Sequence, residues 1–268
     1  MSDASRLSGT PMNVAFRPLA GRRGLFVGLA GEDSIASDCA RSASTLGARL
    51  VLACLNDEDA AAVAPLAAQI GAPLRTCNIE RRGALEALVD AAAAELGGFD
   101  FVVHSNVRAS RTELCSGAVG SATDDLLRAM RAACLSFAQL ARLCGPHMPD
   151  GGALVTTSHF GADESEPHDS RTGPAKATFE SIVRYLALEL GPWGIRVHAV
   201  SHGPAPARVA LRHRRLDSLT AHAAQVVRPR QVVGRDRIGD CLAFLVGPDG
   251  IGMTGRTLYV DSCAREVQ

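Results

Sequence analysis

The chain has 268 residues, of which 47% are hydrophobic and 21% are charged, and its formal net charge is zero. This length and composition are typical of one or two soluble globular domains with a sizeable core. The balanced charge excludes a strongly basic protein, so we expect neither nucleic acid nor a membrane surface as a partner. No apolar run approaches the roughly 18 residues that a transmembrane helix needs.

The first 20 residues lack the apolar segment of a signal peptide, and they are predicted to form a flexible N-terminal leader. Eight cysteines are scattered through the chain, without a C-x-x-C pair and without a histidine at metal-ligand spacing. Several lie in apolar runs, as in VLACL at 51–55. This pattern indicates small core residues in a reducing compartment. We therefore expect a cytoplasmic protein without a metal site.

Short apolar runs alternate with longer helical patterns from about residue 22 onward. The predicted strands are 24–30, 49–55, 73–79, 99–105, 153–158, 195–201 and 257–260. The predicted helices are 34–47, 58–70, 81–97, 123–144, 173–190 and 236–246. Because continuously apolar strands alternate with helices, the sequence predicts an α/β fold with a doubly wound parallel sheet. Residues 21–268 are predicted to form a single domain, in which the segment 203–232 interrupts the alternation.

The turn after the first predicted strand has features of a phosphate-binding site. Gly28 lies at the tip of the strand, Ala30 is small, and Ser34 stands where the first helix begins. The backbone N–H groups of such a helix start suit a pyrophosphate. However, the turn lacks the full G-x-G-x-x-G pattern, and an ordinary β–α turn with Ser34 as the N-cap would contain the same residues. Both interpretations are open from these residues alone.

Further motifs follow in the same order along almost the whole chain. They are GLAGEDSIA at 28–36, VHS at 103–105, a lysine at the start of the fifth helix, GPWGIRVHAVSHGP at 191–204 and GIGMTGRTLYVD at 250–261. Over about residues 21–262 the sequence resembles the short-chain dehydrogenase/reductases, specifically the NADH-dependent enoyl-acyl-carrier-protein reductases. The resemblance implies a seven-stranded parallel Rossmann-type sheet and a homo-oligomer, usually a tetramer.

The resemblance also implies NAD(H) as the cofactor. The cofactor-binding residues that it indicates are Gly28, Ala30, Ser34, Ile35, Asn56, Asn78, Ser105 and Lys176. No arginine or lysine directly follows the second strand, where a 2′-phosphate would lie, so NAD is favoured over NADP. The implied substrate is an acyl thioester, carried on an acyl carrier protein. The arginine-rich segment 203–232 corresponds to the substrate lid of the family, and its charge either suits docking of an acidic carrier or marks a solvated loop.

The reacting end of the site departs from the family. In the family, a tyrosine hydroxyl stabilises the enolate, and a lysine seven residues later holds the nicotinamide ribose. Lys176 matches the lysine, but the position seven residues earlier is Asp169. The two tyrosines of the chain, Tyr185 and Tyr259, lie elsewhere in the sequence. His159 occupies the place of a second aromatic residue, so the candidate catalytic residues are Lys176, His159 and Asp169.

Three hypotheses about function are consistent with these residues. The first is an NADH-dependent enoyl-thioester reductase with weak or altered activity, whose acid is rebuilt from His159 and Lys176. The second is a catalytically silent homologue that serves as a partner or scaffold subunit. The third is an enzyme for non-redox chemistry in the same pocket, with His159 and Asp169 as acid and base.

Overall fold

The computed structural model describes residues 17–105, 127, 130–159, 172–202 and 234–261. Its strands are β1 (Arg23–Leu29), β2 (Arg49–Cys54), β3 (Leu74–Thr76), β4 (Phe101–His104), β5 (Gly152–His159), β6 (Ile195–His202) and β7 (Arg256–Val260). Its α-helices are α1 (Ile35–Thr45), α2 (Asp57–Ile70), α3 (Ala84–Leu96), α4 (Ser136–Cys144), α5 (Thr172–Leu190) and α6 (Arg235–Val246). Asp169 and the predicted lid segment 203–232 lie outside the described residues, as do residues 1–16 of the predicted leader.

The strands form one sheet in the order β3-β2-β1-β4-β5-β6-β7, and every neighbouring pair is parallel. The predicted fold class, a doubly wound seven-stranded parallel sheet, is therefore confirmed. The chain continues from β1 to β2 on one side and later returns to place β4 on the other side. In such sheets ligands bind at the carboxyl ends of the strands where the order reverses, so the β1–β4 junction positions the candidate site.

The sheet is buried on both faces, which explains why its strands are continuously apolar. Leu25 and Val27 of β1 belong to one core cluster, together with residues from α3, α4 and α5. Phe26, between them in sequence, belongs to a second cluster with residues from α1, α2 and α6. Because neighbouring side chains of a strand point to opposite faces, each strand needs apolar residues at consecutive positions.

Several boundaries differ from the sequence-based expectation, and three of them are informative. Strand β3 has only three residues, which pair with β2 at the edge of the sheet. Helix α4 is preceded by a five-residue π-helical turn at Arg131–Leu135. Leu19 is fully buried and its backbone N–H donates to Leu46 O at 3.1 Å. Residues 17–20, assigned from the sequence to the leader, are therefore part of the packed domain.

The cysteines of the described segments behave as core residues. The buried ones are Cys39, Cys54, Cys77, Cys134 and Cys144. Burial raises the pKa of these thiols, that of Cys77 to about 11, so they are poor nucleophiles near neutral pH. Among the described residues, no three potential ligands lie together in a way that could hold a metal ion. No described helix is long and apolar enough to cross a membrane.

Candidate functional site

A glycine bulge shapes the turn between β1 and α1. The register of β1 against β2 shifts between Val27 and Leu29, and Gly28 has a φ of 96°. A side chain is strained at that φ, so glycine is required for the bulge. Ser34 then caps α1, because its Oγ accepts a hydrogen bond from the Ser37 backbone N–H at 3.2 Å. The Ser37 hydroxyl in turn donates to Gly31 O at 2.6 Å, which closes the turn.

The start of α1 presents backbone donors to this turn. Of its first four amides, that of Ser37 donates to Ser34 Oγ and that of Asp38 donates to Ser34 O. Those of Ile35 and Ala36 have no acceptor among the described residues, as expected for the first two positions of a helix. Gly31 has a φ of 124°, and a Cβ built on it would meet nothing within 4 Å. The turn therefore combines open space with two available N–H donors, an arrangement that suits an anion.

Two asparagines lie at the ends of the next strands. Asn56 caps α2, its Oδ1 accepting from the Asp59 backbone N–H at 2.8 Å. Asn78 Oδ1 accepts from the Glu80 backbone N–H at 3.0 Å. Both asparagines line a cavity of about 640 Å³, together with Leu55, Asp57, Arg81 and Arg82 and residues of α3. The first turn of α2 contributes acidic residues at one side of this cavity, and Arg75, Arg81 and Arg82 line it elsewhere.

Lys176 and Ser105 converge on one threonine of β5. Lys176 is only 4% exposed, and its Nζ donates to Thr157 O at 2.6 Å. The hydroxyls of Thr157 and Ser105 are 3.1 Å apart. The Ser105 backbone N–H donates to Val27 O at 2.8 Å, which ties the end of β4 to β1. Thr157 therefore joins the predicted lysine to the strand junction where the turn residues lie.

A buried histidine lies under Lys176. His104 Nε2 is 2.8 Å from Ser136 Oγ, and the Ser136 hydroxyl donates to Ala132 O at 2.6 Å. Because that hydroxyl hydrogen is already used, the Nε2–H of His104 donates to Ser136. Burial and, secondarily, the charge of Lys176 lower the pKa of His104 from 6.5 to about 3, so the ring is neutral. The ring also packs against Phe179, over which the Lys176 ammonium lies at 5.3 Å from the ring centroid.

A buried carboxylate lies one helical turn beyond Lys176. Glu180 is 6% exposed, and its Oε1 accepts from the Ser158 hydroxyl at 2.5 Å. Its Oε2 accepts from the Thr257 hydroxyl at 3.1 Å. Glu180 thus joins α5 to β5 and β7 beneath the carboxyl edge of the sheet.

The remaining predicted catalytic residues are only partly located. His159 is the last residue of β5, and its backbone pairs with His202 of β6 at the carboxyl edge of the sheet. Asp169 lies outside the described residues. The described structure therefore brings the β1–α1 turn, Ser105 and Lys176 to one edge together with the end of β5, while Asn56 and Asn78 lie along the same edge toward β3.

Comparison with known proteins identifies the family. Residues 28–263 match the family model described as enoyl-(acyl carrier protein) reductase. The chain belongs to this family. The resemblance stated from the sequence, to the NADH-dependent enoyl-acyl-carrier-protein reductase branch of the short-chain dehydrogenase/reductases, is thereby confirmed.

Relatives in this family match over nearly their full length. The chain is 32% identical to enoyl-[acyl-carrier-protein] reductase [NADH] 2 of Rhizobium meliloti over 243 residues, which is 90% of this chain and 91% of the relative. It is 33% identical to the NADH enoyl-[acyl-carrier-protein] reductase of Salmonella typhimurium over 249 residues, 91% of this chain and 94% of the relative.

Solved structures of the family superimpose closely. The Anaplasma phagocytophilum enzyme, crystallised in complex with NAD, has a TM-score of 0.88 at 29% identity and covers 93% of this chain and 96% of its own. The Bacillus cereus enzyme, crystallised with NADP⁺ and indole naphthyridinone, has a TM-score of 0.90 at 27% identity. The match covers 94% of this chain and 99% of the Bacillus chain.

Sequence reasoning missed three residues of this region. Thr157 and Glu180 contact their partners only after α5 has folded back onto β5, so no local motif reveals them. His104 carried a weak signal, because a histidine inside the apolar run FDFVVHS, at 99–105, must be buried and therefore needs hydrogen-bond partners.

The burial of His104 predicts a specific loss of stability in acid. Its pKa is about 3 in the folded protein and 6.5 ordinarily, so below pH 6.5 the unfolded chain binds a proton that the folded chain does not. The contribution of neutral His104 to the free energy of unfolding is complete above pH 6.5 and is lost as the pH falls toward 3. The free energy of unfolding should fall between about pH 7.5 and 4.5 in both proteins. We expect this fall to be about 3 kcal/mol smaller in His104→Gln than in wild type. Urea unfolding at both pH values measures this, and equal losses would contradict it.

Proposed function

We propose that the protein is an NADH-dependent reductase of enoyl thioesters carried on an acyl carrier protein, with low turnover. Family membership supports the reaction class, and the observation that carries the proposal is the environment of Lys176. Its ammonium is buried at the carboxyl edge of β5, where the resemblance places a lysine that holds the nicotinamide ribose. A surface lysine without a function would instead extend its ammonium into water.

The residues at this edge fit a nicotinamide dinucleotide. The open space at Gly31 and the N–H groups of Ile35 and Ala36 suit the pyrophosphate. Ser34 shapes that turn, while Asn56 and Asn78 would lie along the adenosine and Ser105 and Lys176 beside the nicotinamide ribose. The NADH-dependent relatives favour NAD as the dinucleotide. When bound, the dinucleotide supplies the reducing equivalent, and the chain orients both reactants.

The composition of the chain adds weight to the role of Lys176. It is the only lysine among the 28 lysine and arginine residues of the sequence. Lysine is a compact point charge with three donors, whereas arginine is a planar fork, and the two do not replace each other in a tight buried site. A chain that uses arginine at every other basic position has a lysine where the buried Nζ contacts Thr157 O.

Low turnover follows from the missing tyrosine. The enolate that forms at the thioester oxygen needs a hydrogen-bond donor. At the tyrosine position, an ionised Asp169 would repel that charge. A histidine such as His159 can supply a hydrogen-bond donor, but it is not the positioned phenol of the family. Loss of a positioned acid costs about 10²–10⁴ in rate.

Calorimetric titration with NADH, followed by an enoyl-thioester assay, tests the proposal. We expect binding and slow oxidation of NADH that falls further in His159→Ala. Absence of binding at millimolar NADH would overturn it. Binding without turnover would instead identify a silent nucleotide-binding subunit, and conversion of the thioester without NADH oxidation would identify non-redox chemistry.

We propose further that the protein is a homo-oligomer that associates through α5. Tyr185 and Leu188 of this helix are 66% and 75% exposed, and Trp193, just beyond it, is 61% exposed. Large apolar side chains that lie together on a surface mark an interaction site. We expect wild type to elute as a tetramer or dimer and Leu188→Glu to shift toward the monomer, by size-exclusion chromatography with light scattering. Ala62→Glu on the exposed face of α2 is the control, and an unchanged mass of the Leu188 variant would contradict the interface.

A further inference from the structure

Helix α5 carries two buried charges of opposite sign, one turn apart. Lys176 and Glu180 are 4% and 6% exposed, and residues four apart lie on the same face of a helix. Lys176 donates to the carbonyl of Thr157, and Glu180 accepts from the hydroxyl of the next residue, Ser158. Both side chains are therefore held at consecutive positions of β5, near the carboxyl edge of the sheet.

Two other described titratable groups interact with Lys176, and neither is negatively charged at neutral pH. His104 of β4 and Cys134 of the π-helical turn both interact electrostatically with the lysine. The pKa of His104 is lowered to about 3 by burial and by Lys176, and burial raises that of Cys134 to about 11, so both are neutral near pH 7. The buried carboxylates among the described residues are Asp59, on α2, and Glu180. Glu180 is thus the described anion suited to compensate the ammonium.

We propose that Glu180 is a positioning residue for Lys176: its carboxylate, held by Ser158 and Thr257, balances the buried ammonium and keeps it at the end of β5. A buried charge without a compensating partner is strongly unfavourable, so the carboxylate keeps Lys176 both charged and in place. The consequence for cofactor binding rests on the proposed function, whereas the electrostatic link can be tested without any cofactor.

The single lysine of the chain makes a direct test possible. Protein labelled with ¹³C-lysine gives one lysine side-chain signal in an NMR spectrum, and its chemical shift against pH reports the titration of Lys176. Glu180→Gln removes the charge but keeps groups that can bond to both hydroxyls. We expect its titration midpoint to lie about one pH unit or more below that of wild type. Glu189→Gln, at an exposed position of the same helix, should leave the midpoint unchanged.

An unchanged midpoint in folded Glu180→Gln protein would overturn the proposal. If that variant does not fold, the double variant Lys176→Met/Glu180→Gln decides. The double variant lacks the ammonium that Glu180 would compensate, so it should melt at a higher temperature than Glu180→Gln alone. An equal or lower melting temperature would overturn the proposal.

The cofactor supplies a separate readout. If wild type binds NADH, Glu180→Gln should bind it more weakly than wild type. The difference should be largest between the two midpoints, because only there do the two proteins also differ in the charge of Lys176. A loss of affinity that is the same at every pH would indicate a purely structural role and overturn the proposal. Failure of wild type to bind NADH would overturn the proposed function, while the NMR titration would still test Glu180.

Discussion

Asp169→Tyr is expected to raise kcat for NADH-dependent reduction of an enoyl thioester by about 10²-fold, the lower end of the range for a positioned acid. The phenol would place a neutral hydrogen-bond donor seven residues before Lys176, the spacing at which the family has its catalytic tyrosine. Under the proposed function it would also remove a carboxylate whose charge opposes that of the enolate. The decrease of NADH absorbance in the presence of an enoyl thioester measures the effect.

The matched control is Asp169→Phe, which removes the same carboxylate and fills the same space but offers no hydroxyl. We expect it to gain much less than Asp169→Tyr, because only the hydroxyl can donate to the enolate oxygen. Equal activity of the two variants would show that the hydroxyl is not the missing group. The position of the substrate or the binding of the cofactor would then limit turnover.

Lys176→Met is expected to weaken NADH binding by about 10- to 100-fold, because hydrogen bonds from a charged donor contribute about 1.5–3 kcal/mol each. Methionine approximates the length of the lysine side chain but cannot donate a hydrogen bond to Thr157 O. Isothermal titration calorimetry against NADH measures the loss. Circular dichroism and a melting curve establish that the variant is folded.

Lys176→Arg separates charge from shape. It retains a cation, but its planar guanidinium is larger than the ammonium. Little room is available, because Lys176 is 4% exposed and its Nζ lies 2.6 Å from Thr157 O. We therefore expect it to bind NADH nearly as weakly as the methionine variant. Wild-type affinity in Lys176→Met would show that the lysine does not contact the cofactor.

The geometry of the β1–α1 turn could be predicted, because it depends on a local segment. Gly28 and Ser34 lie within one strand–helix turn, and glycine at a positive φ and serine as an N-cap have local physical causes. The pairings of Lys176 with Thr157 and of Glu180 with Thr257 could not be predicted. They join segments 19 and 77 residues apart, and helix packing alone determines which side chains meet.

The amino-acid sequence by itself determined the class of fold and the family. Strands buried on both faces must be continuously apolar, and the alternation of such runs with helices leaves few arrangements other than a parallel doubly wound sheet. From the resemblance it also predicts Asp169 at the place of the family's tyrosine, and this stays a prediction. Only the tertiary structure decided that the one lysine is buried above Phe179 and that a buried glutamate lies one turn away. Burial and the field of neighbouring charges are properties of packed elements, so the environment of Lys176 exists only after α5 has docked on β5.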